Sequence, residues 1–437
     1  MKLRWPAVVH VLVFVTSIAR CQTLLSEWPE FRGPGGQGHA TATQVPTRWA
    51  ESQNVGWKVP LPGRGHSSPV VLGDQIWLTT AIESKQEGAS QTEGSELQHK
   101  RVSFHALCLD RRTGNLVHDV ELFVCDDVEP IASQNTFASP TPVIEPGHAY
   151  FHFGRYGTAC LATDTAKVLW TRTFAINHSV GPGSSPVLCG NMLVLTCDGI
   201  DTQFVVAVDK HTGNTVWSRD RPPVNSTNPE MKKSFCTPLI AHLAGRDQLI
   251  IPAAQWFVSY EPATGEEIWR VDYGPGCSVV PRPVCDERCV YCCTGYMFTE
   301  LLSIRGDGLG DVTKSHVEWR TSQLVPTQPS PLLNEGMLYL ISDTGVAQCL
   351  DASTGKQVWK RRIGGNFSAS PLWFEGQVAF FNNEGITTIV STDAEGTVLS
   401  KNELEDGIFA TPAILSGQII IRTASHLYSI KNDSVSK

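Results

Sequence analysis

The side chains best equipped for chemistry in this 437-residue chain are its thirteen cysteines and a few close-set acids and histidines. Cys289-x-x-Cys292-Cys293 resembles half of a zinc site. In a β-strand, however, neighbours alternate faces, so Cys289 and Cys293 point one way and Cys292 the other, which reads as small apolar side chains. Cys189 and Cys197 flank one hairpin turn and Cys285 and Cys289 flank Asp286-Glu-Arg288, so either pair is a disulfide candidate in an oxidising compartment. The odd count, or an even one if cleavage falls after Cys21, fixes no connectivity. Asp198-Gly-Ile-Asp201 and Asp307-Gly-Leu-Gly-Asp311 have calcium-loop flavour but lack further oxygen ligands at regular spacing, and read as turns. Asp126-Asp127-Val-Glu129 reads as a solvated acidic loop. His66 and His178 precede apolar runs and could line a central funnel as hydrogen-bonded scaffold. There is no Gly-x-Ser-x-Gly, phosphate loop, haem-attachment Cys-x-x-Cys-His or His-Glu-x-x-His. No catalytic, cofactor-binding or metal-ligating residue is therefore assigned.

What would position any such group is a repeat. A Ser-Pro or Thr-Pro step opens an apolar run at Ser68-Pro69, Ser139-Pro140, Ser185-Pro186, Thr237-Pro238, Ser330-Pro331, Ser370-Pro371 and Thr411-Pro412, with a variant at Val280-Pro281 followed by Pro283. With Pro142 and Pro283 aligned, the intervals after a long first one are 44, 52, 45, 48, 40 and 41 residues. That period fits a four-stranded propeller blade. Each Pro is followed by two short runs split by a Gly/Asn/Asp turn, then by a third run ending in Asp, Thr-Gly and Trp: Asp209, Thr212-Gly213, Trp217, and again Asp351, Thr354-Gly355, Trp359.

Other copies are looser. Asp110, Thr113-Gly114 and His118 lose the Trp, and Glu261, Thr264-Gly265 and Trp269 replace the Asp. Asp311 and Trp319 keep the interval without Thr-Gly, while Asp164 to Trp170 and Asp393 to Leu399 read as two residues short. Trp57 precedes the first Ser-Pro and the eighth copy, Thr411 to about Ile430, has no Trp strand. The expected fold is thus all-β, an eight-bladed propeller of four-stranded antiparallel blades, with the Trp57 strand closing the last blade so that no sheet edge stays open. The phrase itself is scaffold: Gly supplies a positive φ, Asp bonds the turn amides, and Trp fills the space between blades with one acceptor for its indole N–H.

The Asp-x-x-Thr-Gly-x-x-x-Trp phrase resembles the pyrroloquinoline quinone (PQQ) repeat of quinoprotein dehydrogenases and outer-membrane protein assembly factor B. Nearly the whole chain is similar to a group of secreted bacterial PQQ-binding-like β-propeller repeat proteins. Trp28-Pro-Glu-Phe-Arg-Gly-Pro-Gly-Gly-Gln-Gly38, Gly183-Ser-Ser-Pro186, Gly310-Asp-Val-Thr-Lys-Ser-His-Val-Glu-Trp319, Phe367-Ser-Ala-Ser-Pro371 and Thr423-Ala-Ser-His-Leu-Tyr428 carry that resemblance. It implies a repeat fold and says little about chemistry. Some quinoprotein dehydrogenases carry a ring of adjacent cysteines over the cofactor in an early blade; Cys292-Cys293 falls in the fifth blade and does not match. Nor do the calcium ligands, Asp base or stacking Trp of those enzymes transfer to particular residues here.

Composition agrees with one β domain: Gly 37 and Pro 27 punctuate short Val/Ile/Leu/Thr runs. A net charge of −8 without a basic run argues against nucleic acid. Lys2, Arg4, the apolar stretch Ala7 to Ile18 and Ser17-Ile18-Ala19 make residues 1–21 an expected signal peptide, too short to span a bilayer. Lipidation at Cys21 is disfavoured because Arg20 stands where a small residue is wanted. Residues 22–50 form a lead segment, 51–431 the propeller and 432–437 a tail. Two segments break the repeat: polar Glu83 to Lys100, and Arg221 to Lys233, which spans two blades near one mouth of the channel. The expectation is an exported, periplasmic or extracellular monomer with no cofactor, presenting a rigid face to a protein or peptide at the cell envelope. The alternative is an alcohol- or sugar-oxidising quinoprotein using PQQ with Ca2+.

Overall fold

The computed structural model describes residues 27–85 and 100–432. The expected signal peptide, most of the polar insertion and the last five residues lie outside the described residues. Eight sheets stand around one axis, blades 1 to 8 in chain order, with their repeat-derived inner strands beginning at Val70, Val143, Val187, Leu239, Val284, Leu332, Leu372 and Ala413. Blade 3 shows the pattern: Val187–Cys189, Met192–Asp198, Gln203–Asp209 and Thr215–Asp220, antiparallel from the axis outwards. Blade 8 combines both ends of the chain, with Val55–Pro60 pairing antiparallel with His426–Lys431. The closure expected from Trp57 is therefore present. Two blades exceed four strands: His39–Ala40 joins the inner edge of blade 7 in parallel, and Gly310–Asp311 joins the outer edge of blade 4. Among the described residues no helix is long and apolar enough to cross a membrane.

The apolar residues gather between blades, with one cluster at each interface from blades 1–2 to 6–7 and a larger one spanning blades 7, 8 and 1. Each fully buried aliphatic or aromatic side chain there contributes about 1.5–3 kcal/mol. On the outer rim, the Trp of one blade covers the Thr-Gly turn of the next. Trp57, Trp170, Trp217 and Trp319 donate their indole N–H to the carbonyls of Arg111, Lys210, Pro262 and Ala352 at 2.9–3.1 Å. In the turn, Asp209 Oδ1 accepts from the amides of His211 and Thr212 and from the Thr212 hydroxyl, which hold its carboxyl below the usual range.

This contact explains the irregular copies. A Cβ on Gly265 would stand 2.5 Å from Trp217, so the turn needs Gly for clearance as well as for its φ of +70°. Blade 1 offers His118 instead of Trp, and in blade 2 Ala166 takes the left-handed position at φ 55°. Its amide bonds the Ala162 carbonyl, so the second copy is full length, with Ala162 in the place of the Asp. In blade 7 the residue opposite Ile389 is Ser400, not Leu399, and it donates to Thr47 of the lead segment. Gly265→Ala should accordingly cost about 1–3 kcal/mol more than Gly336→Ala. Gly336 has a similar φ but open space, leaving only a left-handed penalty of about 1–2 kcal/mol. Equal shifts in denaturation midpoint would show that the tryptophan contact is unimportant.

Residues 28–40 run across the inner strands rather than outside the ring. Trp28 bridges Val71 of blade 1, the Pro29 carbonyl accepts from Ile144 of blade 2, and Gly38 accepts from Trp373 of blade 7. Between them Arg282 of blade 5 reaches the Phe31 carbonyl at 2.8 Å and Glu30 at 3.0 Å. Gly36 is required there, since a Cβ would fall 1.7 Å from Arg282 Nη1. The segment closes one end of the channel and turns it into a funnel with Phe31 facing the cavity.

Candidate functional site

The funnel holds a cavity of about 430 Å³ to which residues of all eight repeats contribute or stand adjacent. At its base the hydroxyls ahead of the prolines form a ring. The amide of Ser68 donates to Thr141 Oγ1, Thr141 to Ser185 and Ser185 to Thr237, at 2.9–3.0 Å. The series resumes with Arg282 donating to Ser330, Ser330 to Ser370 and Ser370 to Thr411, again at 2.9–3.0 Å. The Ser/Thr of the repeat thus joins blade to blade at the axis, a role not read from the sequence, although the hydroxyl before nearly every Pro was its visible sign. In the second copy the ring member is Thr141, while Ser139 bonds Asn135 Oδ1 at 2.6 Å.

Above the ring the lining is apolar and amide-rich, with Val180, Phe235, Phe409, Gln134 and Gln328, and it contains no carboxylate. His66 does line the funnel, stacked on Phe409 at 4.7 Å. Burial and then the nearby Arg422 and Arg64 pull it down to about 4, so it is neutral at physiological pH. Lys233 lines the cavity and is ion-paired with Glu230. At the mouth, the loop joining the second and third strands of blade 5 carries Tyr296, Met297 and Phe298, which are 63%, 57% and 55% exposed, and Tyr296 also lines the cavity. Met297 holds a left-handed φ of 81° at the tip.

Two buried guanidiniums flank this base without a carboxylate. Arg32 is fully buried, donates through Nη2 to the Pro331 carbonyl beside Ser330 at 2.7 Å, and leaves Nε and Nη1 unpartnered. Arg422 donates through Nη1 to Ser67 and to the Thr79 carbonyl, leaving Nε unpartnered. Burial pulls both down to about 9, for Arg32 with Arg282 adding to the effect, so both remain charged at neutral pH.

The chemistry-bearing residues singled out by spacing lie elsewhere. The twelve described cysteines are free thiols. Cys189 lies opposite Met192 whereas Cys197 lies far along the same hairpin opposite Phe204, so that pair cannot bridge. Cys285 packs towards blade 4 and Cys289 towards blade 6, on opposite faces. Cys292 and Cys293 divide between the same faces, as strand alternation requires. Asp198 is buried against Arg221, Asp201 caps the Asn177 amide, and Asp311 caps Thr313. Glu129 departs from a solvated loop: its side chain is 10% exposed, pairs with Arg155 at 2.7 Å and accepts from the His178 amide. Burial raises its carboxyl pKa. His178 is buried behind Phe235 with both ring nitrogens unpartnered and pulled down to about 4, rather than hydrogen-bonded in the funnel. Among the described residues no group of three or more His, Cys, Asp or Glu converges to hold a metal.

The hydroxyl ring, the eight blades and the tryptophan-capped turns define a PQQ-like propeller repeat protein. A family profile described as outer membrane protein assembly factor BamB matches residues 102–269 and 253–404, and the chain belongs to that family. No curated protein sequence matches it. Among solved structures it is similar to BamB from Moraxella catarrhalis, with a TM-score of 0.57 at 13% identity, covering 86% of this chain and 99% of that one. It is also similar to a europium-containing methanol dehydrogenase, with a TM-score of 0.64 at 12% identity over 92% and 98% of the two chains. A quinohemoprotein alcohol dehydrogenase, ADHIIG from Pseudomonas putida HK5, gives 0.63 at 10% identity over 94% and 81%. At such identities these neighbours establish the fold alone.

Proposed function

We propose that this protein is an exported, monomeric, non-catalytic scaffold of the cell envelope that docks an extended segment of a protein partner against its funnel face. The observation that carries this reading is the exposed Tyr296-Met297-Phe298 tip standing over a funnel without a lining carboxylate. Exposed aromatic clusters on a rigid face are the usual anchors of protein recognition. The export reading rests on residues 1–21, and the family match with an assembly factor supports an envelope location.

A quinone held by a divalent cation needs carboxylate and amide oxygens converging on the metal, and a base beside the quinone. The lining offers Gln134, Asn135 and Gln328 but no Asp or Glu. Asn135 is also fully engaged, donating to the Val180 and Pro182 carbonyls and accepting from Ser139 and Thr136. These residues do not fit that group.

Calorimetric titration with PQQ and calcium is therefore expected to give no saturable heat, and micromolar binding with a rise in melting temperature would replace the scaffold reading. The docking surface is tested by a photocrosslinking residue at position 298, with position 358 on the outer rim as control. One defined adduct from 298 alone is expected. Tyr296→Ala with Phe298→Ala should weaken binding of that partner at least about tenfold, since truncating such anchors costs about 1–3 kcal/mol or more. The melting temperature should not move. Equal crosslinking from both positions, or none, would defeat the proposal.

A further inference from the structure

The ring hydroxyls use one lone pair each to accept a neighbouring amide, and none of them donates to a protein atom among the described residues. Thr141, Ser185, Thr237, Ser330, Ser370 and Thr411 therefore keep a free O–H donor at the cavity base, where all six line the funnel. Six free donors around one axis want an acceptor there. The unpaired buried charge at the base is positive. Arg282 occupies the fifth place of the ring and is paired with Glu30, whereas Arg32 beside Ser330 and Arg422 beside Ser67 have no carboxylate. Lys233 higher in the funnel is matched by Glu230. The carboxylates of the upper loops accept from loop amides, Asp343 from Thr327 and Gln328, Glu384 from Asn366, and Asp406 from Gly407 and Ser425, and none of the three lines the cavity.

Buried, uncompensated guanidiniums are expensive to retain, and two of them beside one donor ring call for a negative charge nearby. In a protein of net charge −8 this makes the funnel base a local positive site.

We infer that the hydroxyl ring at the base of the funnel is a receptor for one carboxylate or similar oxyanion, carried either by an acidic side chain of the docked segment or by a small molecule. This deepens the docking reading and in its first form rests on it. The apolar tip at the mouth seats the flanking side chains, and the ring reads the charge.

The test uses the exported chain without residues 1–21, titrated calorimetrically with succinate, sulfate and phosphate at ionic strength held constant with chloride. In parallel, two labelled peptides of the same apolar content, one with a central Asp and one with Asn, are followed by anisotropy. Saturable binding of succinate at about 1 mM or tighter is expected, as is at least about a tenfold preference for the Asp peptide. Thr141→Val, Thr237→Val and Thr411→Val, combined, should abolish both while circular dichroism confirms the fold. If that variant does not fold, Phe31→Asp leaves every ring hydroxyl in place, supplies a carboxylate from the floor, and should weaken succinate binding by the same order.

The outcomes separate the sources. Small anions binding while neither peptide does would leave the receptor standing for a metabolite and end the docking reading. Equal binding of the Asp and Asn peptides with no anion binding would end the receptor and leave the docking reading intact. No binding of either kind, or succinate binding unaffected by both variants, would overturn the inference.

Discussion

Asp198→Leu should lower stability by about 3–5 kcal/mol, the cost of leaving a buried arginine without its counter-ion. Asp198 and Arg221 meet in a two-pronged pair, Nε to Oδ1 at 3.0 Å and Nη2 to Oδ2 at 2.8 Å, with both side chains no more than 2% exposed. Arg221 Nη1 also donates to the Ile251 carbonyl and the Tyr260 hydroxyl, which ties blade 3 to blade 4. Burial works against its charge, yet Asp198 and Tyr260 more than compensate and push the guanidinium pKa up. Removing the carboxylate removes the compensation and keeps the penalty. Asp198→Leu combined with Arg221→Met should therefore be more stable than Asp198→Leu alone, because apolar replacement of both partners leaves no stranded charge. Denaturant midpoints of the two singles and the double settle the matter. If the double is as unstable as the sum of the singles, the pair is not coupled as its geometry requires. The effect reaches the funnel, since Arg221 begins the segment that ends at the lining residues Lys233 and Phe235.

The parts of the molecule legible in the sequence are those written in local order. Ser-Pro, hairpin, Asp, Thr-Gly and Trp follow one another within a single blade, so their period reveals the propeller, and the unmatched Trp57 reveals its closure. Contacts between distant parts of the chain left no such trace. Nothing about Arg282 announces that it takes the fifth place in the hydroxyl ring or that its guanidinium reaches Glu30, 252 positions away. Glu129 sits among acids that look solvated, but the fold brings Arg155 and the His178 amide to it. The exposed aromatic tip reads in sequence as one more apolar stretch, because exposure depends on the loop standing clear of its neighbours.

Specific features concentrate in blade 5. Its Ser/Thr is replaced by Arg282, its loop supplies Tyr296-Met297-Phe298, and its last connection places Gly310–Asp311 on blade 4 where other blades place a Thr-Gly turn. Trp269 of blade 4 consequently turns its indole N–H to Gln248 of its own blade at 2.8 Å. Blade 5 thus departs from the pattern at the axis, mouth and rim together, and the docking proposed above places the partner there. The other blades hold blade 5 in place.

Deleting residues 27–60 is expected to abolish cooperative folding of the monomer. The deletion strips the outer strand of blade 8, exposing the length of His426–Lys431 as an open edge, and such edges pair with other chains. It withdraws Trp57 from the turn at Gly114 and Trp28 and Trp49 from the largest core cluster. It also removes Glu30, leaving Arg282, like Arg422, a buried guanidinium without a carboxylate at the axis. Trp57→Ala alone, at a site only partly buried, should cost about 2–3 kcal/mol, somewhat below the 3–5 kcal/mol of a fully buried aromatic. In a ring each blade is held by two neighbours, so losing one interface frees both ends of the array and the loss spreads. The truncated chain should scatter light and lose its sharp melting transition, and a peptide spanning residues 49–61 added in excess should recover part of it by refilling blade 8. A truncated chain that stays monomeric and melts like the full one would mean that the propeller is held by its eight interfaces without closure, contrary to the pairing of its ends.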